Sequence, residues 1–458
     1  MSKLKIIIAS SLIVALIVGM IVLGIKTPTD EYLVVYNCEE YIDPLMIEEF
    51  ENYYQEVTGN SITVRYSTYD TNETMLTKVR NGDARIDVCV GSEYAIERML
   101  NLDLLYSLQE VEELADYDIS NEQYINPEVD SKIAELFSDV GGENMREYFV
   151  PYMYGTLGIL YNNEVVTEQD LATGWGLLWN EANNPDLEGM ILMKDSVRDS
   201  YAAAICYAYE RGLIPQDYSS YTVGELISCS DDALLAVAEQ VLNLQRTHLK
   251  GYEVDFGKDD MIASRAYLCL AWSGDAMYAI DEDPDGKLSY FVPELDGEAL
   301  GNIWFDGWVI PKTADNLRGA SMWVDFMCRT DVTMANMLSV GYSSSIDPDV
   351  LRNDQTCIDM LFDYAVEYEI LDAEASDEEI SEYVEEYFDD TVRYPQVSTK
   401  LGVMQDYKNV DNAVSMWERV KAETIDLLPA ILIGLLVIGV VVGIVWIATR
   451  PKRYRLKK

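Results

Sequence analysis

The sequence holds one histidine, His248, among 458 residues, and its seven cysteines form no C-x-x-C spacing. Zinc sites, iron–sulfur clusters and histidine-dependent triads are thereby removed from the reasonable chemistries, and no cofactor is called for. Basic residues are scarce: 33 Lys and Arg stand against 80 Asp and Glu, a formal charge of −47. A nucleic-acid binder needs a basic face to neutralise phosphates, so that class is excluded, and any polyanionic partner with it. No glycine-rich phosphate loop, calcium-loop spacing or internal repeat is present. What the chain has in quantity is carboxylates and rings, with 32 Tyr, 9 Phe and 8 Trp. Its length and 49% hydrophobic content suffice for two or three domains with a sizeable core.

Long uncharged runs lie at the two ends. Residues 6–25 carry no charge, and 20 residues in a helix span about the 30 Å core of a bilayer. The segment 4–25 reads as an uncleaved transmembrane anchor, the alternative being a cleaved signal; no small-x-small cleavage site follows, and the first cysteine that could take a lipid is Cys38. Residues 427–449 form a second uncharged stretch of 23 residues, followed by a tail, 450–458, with six Lys and Arg. Lys3 and Lys5 before the first span and this tail after the second put both termini in the cytoplasm and the middle of the chain outside it. Setting aside the nine basic residues of the ends leaves 24 against all 80 acidic ones, so the outward domain has a formal charge of about −56 and attracts cations over about one Debye length. The cysteines show no framework spacing and read as mostly buried free thiols.

Between the ends, apolar β-rich runs alternate with helix-period stretches. YLVVYN, SITVRYSTY and IDVCV read as strands, separated by helices in PLMIEEFENYYQEV and NETMLTKVRNG and followed by SEYAIERML, opened by Ser92 in an N-cap position. From Arg146 the strand-like runs YFVPYMYGTLGILYN, GMILM, AYLCLAW, LSYFVP and NIWFDGWVIP alternate with helices such as DSVRDSYAAAICYAYERG. This order predicts an α/β fold with a mainly parallel sheet, whose ligand crevice lies beyond the carboxyl ends of the strands; Asn37–Tyr41 and Gly91–Tyr94 should face it. The acidic run ASDEEISEYVEEYFDD reads as a solvated helix face.

LVVYNCEEYIDP, RYSTYDTNETMLTKVRNG, IDVCVGSEYAIERM, YFVPYMYGTLGILYNNEVV, DSVRDSY, LAWSGDAMYAI and NIWFDGWVIP follow one another in this chain. In that order they resemble bacterial polyamine-binding proteins, the solute-binding components of spermidine/putrescine ABC importers, over about residues 32–421. The resemblance implies a type II periplasmic-binding fold at the bacterial cell membrane: two α/β lobes, 31–145 with 303–345 and 146–302 with 346–424, joined by a hinge and closing over a linear polyamine for a permease and its cytoplasmic ATPase. It also implies ligand positions. The family's aromatic-x-acid-Tyr turn is similar to Cys38–Tyr41, with Glu40 and Tyr41 kept and the ring replaced by Cys38. Ser92 and Tyr94 match its Ser-x-Tyr. Asp199 matches an acidic ligand, while Ser196 stands where the spermidine-preferring branch has a second carboxylate. Trp272 is kept, and Asp275 resembles the acid of the putrescine-preferring branch. Trp304, Asp306 and Tyr342 match cleft residues, and Gln405 resembles a distal polar ligand.

The chemistry agrees. A polyamine carries ammonium groups on methylene spacers, so its site needs carboxylates at intervals, with ring faces between them to bury methylenes and attract cations. Glu40, Asp199, Asp275 and Asp306 with Tyr41, Tyr94, Trp272, Trp304 and Tyr342 supply both. Trp272, Trp304 and the tyrosines could instead be core residues, Ser92 a helix cap only, and Glu39 and Arg198 read as solvent-facing or framework residues. Another small cationic solute is the alternative ligand. The rival class is a glycosidase using Asp195 and Asp199, four apart on one helix face, as acid and base.

Overall fold

The computed structural model describes residues 31–82, 85–254, 256–395 and 399–422. The expected spans 4–25 and 427–449 and the tail 450–458 lie outside the described residues; among those described, no helix is long and apolar enough to cross a membrane.

The first part of the chain runs β1 (Glu31–Cys38), α1 (Leu45–Thr58), β2 (Ile62–Tyr69), α2 (Asn72–Asn81), β3 (Val88–Ser92) and α3 (Glu93–Asn101). Local chemistry sets the boundaries: the Thr71 side chain accepts from the Thr74 N–H at the start of α2, and Gly82, with φ 64, ends it in the left-handed region. β1 pairs in parallel with β2 and β3, and Leu33, Val35 and Val88 are fully buried.

A second set follows: β4 (Phe149–Asn162), β5 (Ile191–Lys194), α4 (Val197–Glu210), β6 (Leu249–Glu253), α5 (Gly257–Ile262), β7 (Leu268–Trp272), α6 (Ser273–Asp281), β8 (Leu288–Phe291) and β9 (Gly301–Val309). One sheet contains both sets, in the order β2-β1-β3-β9-β4-β7-β5-β6, with β8 paired to β4. Its two outer parts are parallel. Its centre is antiparallel, because β9 opposes β3 and β4, and β4 opposes β7 and β8. The mainly parallel sheet expected from the alternation therefore holds for each flank but not for the middle, where single long strands cross between the halves. All nine residues of β9 are buried, as a strand covered on both faces requires.

Helices α7 (Leu317–Met327) and α8 (Thr330–Val340) then return to the first half. Leu351, Cys357, Leu361, Val384, Tyr387 and Phe388 join the buried cluster that holds Leu33, Phe50 and Trp323, so residues 348–389 cover the first half. The chain rejoins the second half at Leu401–Gly402, which pairs with β9, and at α9 (Val410–Lys421), whose Ala413, Met416 and Val420 pack with Leu234, Ala238 and Leu242. An amphipathic stripe states that a helix face is buried; it does not state against which half. Five of the seven cysteines are buried.

Candidate ligand-binding site

The turns after β1, β3, β5, β6 and β7 converge on a cavity of about 430 Å³, crossed by β9. All ten residues singled out as ligand candidates line it.

In the turn after β1, the Asn37 side chain accepts from the Cys38 N–H (2.8 Å) and donates to the Tyr41 carbonyl (3.2 Å). Glu40 takes a left-handed φ of 49, which sends its carboxylate outward, 70% exposed, while Tyr41 is buried. The Tyr41 hydroxyl donates to Asp306 Oδ2 at 2.7 Å. Where the family pattern calls for a ring, the Cys38 thiol donates to the Tyr69 hydroxyl (3.1 Å), and Tyr69, at the end of β2, lines the cavity. The strand pattern placed Tyr69 at a carboxyl end, which was the available signal for it.

Trp304 and Asp306 come from β9. Tyr342 packs against Trp304 at 5.6 Å and Tyr41 at 5.1 Å between ring centroids, both edge-on. That wall requires Gly274, since a Cβ there would lie 2.2 Å from the Tyr342 ring. Trp304 Nε1, Asp306 Oδ1 and Glu93 Oε1 are buried without an aligned hydrogen-bond partner among the described residues.

Ser92 is the N-cap of α3, yet its hydroxyl makes no cap bond; it accepts from Asn72 Nδ2 at 2.9 Å. Tyr94, the second residue of α3, lies under the Arg198 guanidinium at 3.6 Å, and Arg198 also covers Tyr407 at 4.0 Å. Arg198 is thus a cavity residue, 5% exposed, held between two rings with Glu73 and Asp406 within 3.7 Å, and not a solvent-facing one. Gln405 is not a lining residue; its carbonyl accepts from Arg198 while Met404 faces the cavity.

Asp199 and Asp275 each sit in the first turn of their helices, α4 and α6, where the helix dipole favours a carboxylate. Asp199 accepts from Trp272 Nε1 at 3.4 Å. Asp275 faces two ammonium groups of the protein itself, Lys194 at 3.4 Å and Lys258 at 3.6 Å. Lys258 reaches across to Glu40 at 2.5 Å, joining the two halves at the mouth. Lys194, Glu253 and Lys258 were not singled out from sequence; a lysine ending the apolar run ILMK was the visible sign of the first.

Burial raises the carboxyl pKa of Asp306 to about 6 against the opposing hydrogen bonds of Ser92 and Tyr41, with the Asp199 charge adding to the rise. Burial likewise raises Asp199, and lifts Glu93 to about 8 although the Phe305 N–H works the other way. For Lys194, burial acts against the charge, but Asp275 and Glu253 outweigh it and hold the ammonium above the usual lysine value. The arrangement is a ring-walled cleft with buried acids, suited to a cation. It is not an acid–base pair for glycoside cleavage: Asp195 accepts from Lys421 (2.6 Å) and Trp417 (3.3 Å), while Asp199 is tied to Trp272.

Residues 46–356 match the family model described as bacterial extracellular solute-binding protein. The chain belongs to this family. It is a solute-binding protein and not an enzyme. It is 25% identical over 328 residues to the spermidine/putrescine-binding periplasmic protein of Salmonella typhimurium, covering 71% of this chain and 81% of that one. It is 25% identical over 338 residues to the putrescine-binding periplasmic protein SpuD of Pseudomonas aeruginosa, covering 72% and 82%. Among solved structures, a putative spermidine/putrescine ABC transporter protein from Listeria monocytogenes superposes with a TM-score of 0.62 at 27% identity, covering 85% of this chain and 99% of the other.

Proposed function

We propose that this domain captures a linear polyamine, putrescine or spermidine, outside the cytoplasm and presents it to the permease of an ABC importer. The observation that carries the reading is Asp306: an 8% exposed carboxylate with one oxygen unpartnered, in a cavity walled by Trp304, Tyr41 and Tyr342. A buried carboxylate with one oxygen short of a donor is costly, and a ligand ammonium supplies that donor while the rings cover its methylenes. The names of the relatives support the same ligand class. Asp199, Tyr94 and Ser92 complete the proposed contact set, with Glu40, Trp272 and Asp275 lining the rest of the cleft beside Lys194 and Lys258, and β4 and β9, which cross between the halves, serve as the hinge of a two-lobed clamp. The formal charge of about −56 concentrates cations at the mouth.

Calorimetric titration of residues 31–422 with putrescine and spermidine, with glucose as control, is expected to give saturable heat with at least one polyamine and none with the sugar. No heat with either polyamine ends the reading. The uncharged stretches 4–25 and 427–449 anchor the domain in this proposal, both termini cytoplasmic. The full chain is accordingly expected to stay in the membrane fraction at 1 M salt, since a spanning helix is not held by charge; release by salt overturns the anchors.

A further inference from the structure

Lys194 ends β5 inside the cavity with its side chain 3% exposed. Its ammonium donates to the Val254 carbonyl at 2.8 Å and lies 3.0 Å from Glu253 and 3.4 Å from Asp275. The indole of Trp272 covers it at 4.0 Å from the ring centroid. Two carboxylates, a carbonyl and a ring face form the complete surroundings that a cation-binding cleft would offer one end of a diamine. On the far side of Asp275, Lys258 lies 3.6 Å away and ties the same carboxylate to Glu40.

We infer that Lys194 is a resident ammonium that fills the Trp272–Asp275 end of the cleft, so that the protein selects for amines with a single charged end engaged at Asp306 and Asp199 and against triamines. The inference rests on the cationic-ligand reading above and makes it more specific. With Asp275 and Glu253 already paired, a second ligand ammonium at that end meets like charge from Lys194 and Lys258 without a free acid to offset it. What remains open to a ligand is the other end: Asp306 with its unpartnered Oδ1, Asp199, and the rings of Trp304, Tyr41 and Tyr342. Cleft length alone does not set the preference; the tethered charge does.

Truncating Lys194 to Ala removes three carbons and the ammonium, which together are n-propylammonium. The first measurement is therefore the melting temperature of Lys194→Ala with n-propylammonium or n-propanol at fixed ionic strength, beside the wild type. Propylammonium is expected to raise the variant by several degrees and the wild type by less, with no gain from propanol; equal shifts in both proteins overturn the resident-ammonium inference. The second is a set of titrations with n-butylammonium, putrescine and spermidine. In the wild type, putrescine is expected to bind within about threefold of butylammonium, and spermidine no better. In Lys194→Ala, spermidine is expected to gain at least tenfold relative to putrescine. Wild type preferring spermidine to butylammonium by tenfold, or an unchanged ratio in the variant, also overturns it. If Lys194→Ala does not fold, Lys194→Met, which keeps the stem as far as Cε and removes the ammonium, is titrated in its place with the same criteria. Rescue by propylammonium without heat from any amine in the wild type sinks the polyamine reading and keeps the resident ammonium. Polyamine binding without rescue does the reverse.

Discussion

Asp306→Asn is expected to weaken putrescine binding by tenfold or more while leaving the melting temperature of the empty domain unchanged or raised. The substitution keeps the volume, and an amide oxygen still accepts from the Tyr41 hydroxyl that now bonds Oδ2 at 2.7 Å. What it removes is the negative charge behind the unpartnered Oδ1. A hydrogen bond to a charged group contributes roughly 1.5–3 kcal/mol, or about 10- to 150-fold in affinity. In the empty protein the burial of this charge outweighs the hydrogen bonds from Tyr41 and Ser92 and raises the carboxyl pKa, so the charge is a net cost and its removal should not weaken the fold. Trp304→Ala would lower affinity too, but Trp304 also packs against Tyr342 and sits in the core of the first half, so that variant mixes two effects. Titration and thermal melting of Asp306→Asn separate them: retained affinity, or loss of binding only together with loss of folding, would place Asp306 in the framework instead of the contact set.

How much of this was legible in the sequence depends on the range of the cause. Strands such as Glu31–Cys38 and helices such as Asn72–Asn81 follow from local apolar patterning, the Thr71 cap and the Gly82 stop. The ten cleft candidates lie together because the turns at the carboxyl ends of several strands converge, a consequence of α/β topology. The ion pairs were not legible. Lys194 meets Asp275 across 81 residues, and Lys258 meets Glu40 across 218. Nothing local in either partner names the other, and Asp275, which a strand-end reading presents as a free acid, is already paired. Arg198 escaped for the same reason, its stacking on Tyr94 and Tyr407 being a product of helix docking. The antiparallel centre of the sheet was missed because alternation of strand and helix fixes the direction within each half, whereas β4 and β9 are long strands that pass between halves.

Putrescine is expected to bind about tenfold more weakly at pH 5 than at pH 7.5, while the empty protein becomes firmer in its cleft over the same interval. Burial holds the folded Asp306 carboxyl at about 6 and Glu93 at about 8, above the value near 4 of an unfolded carboxylate. Between those limits the folded chain carries protons that the unfolded chain lacks, so the stability from these groups is fully present below about pH 4 and is lost as pH rises through 6 and then 8. Ligand binding has the opposite sign. An alkylammonium stays charged throughout, its pKa being about 10, and it needs Asp306 as the carboxylate, so each pH unit below 6 costs up to about tenfold. Surface carboxylates titrate near 4 and stay mostly ionised at pH 5, so the general negative field does not produce this step. The one histidine does not produce it either, since His248 pairs with Glu188, away from the cavity residues. Melting curves with and without putrescine from pH 8 to pH 5 should therefore show the ligand-induced gain shrinking through pH 6 in the wild type, and a flat, small gain in Asp306→Asn. A wild-type affinity constant within twofold from pH 7.5 to pH 5 would mean that no buried carboxylate of the cleft takes the ligand's charge.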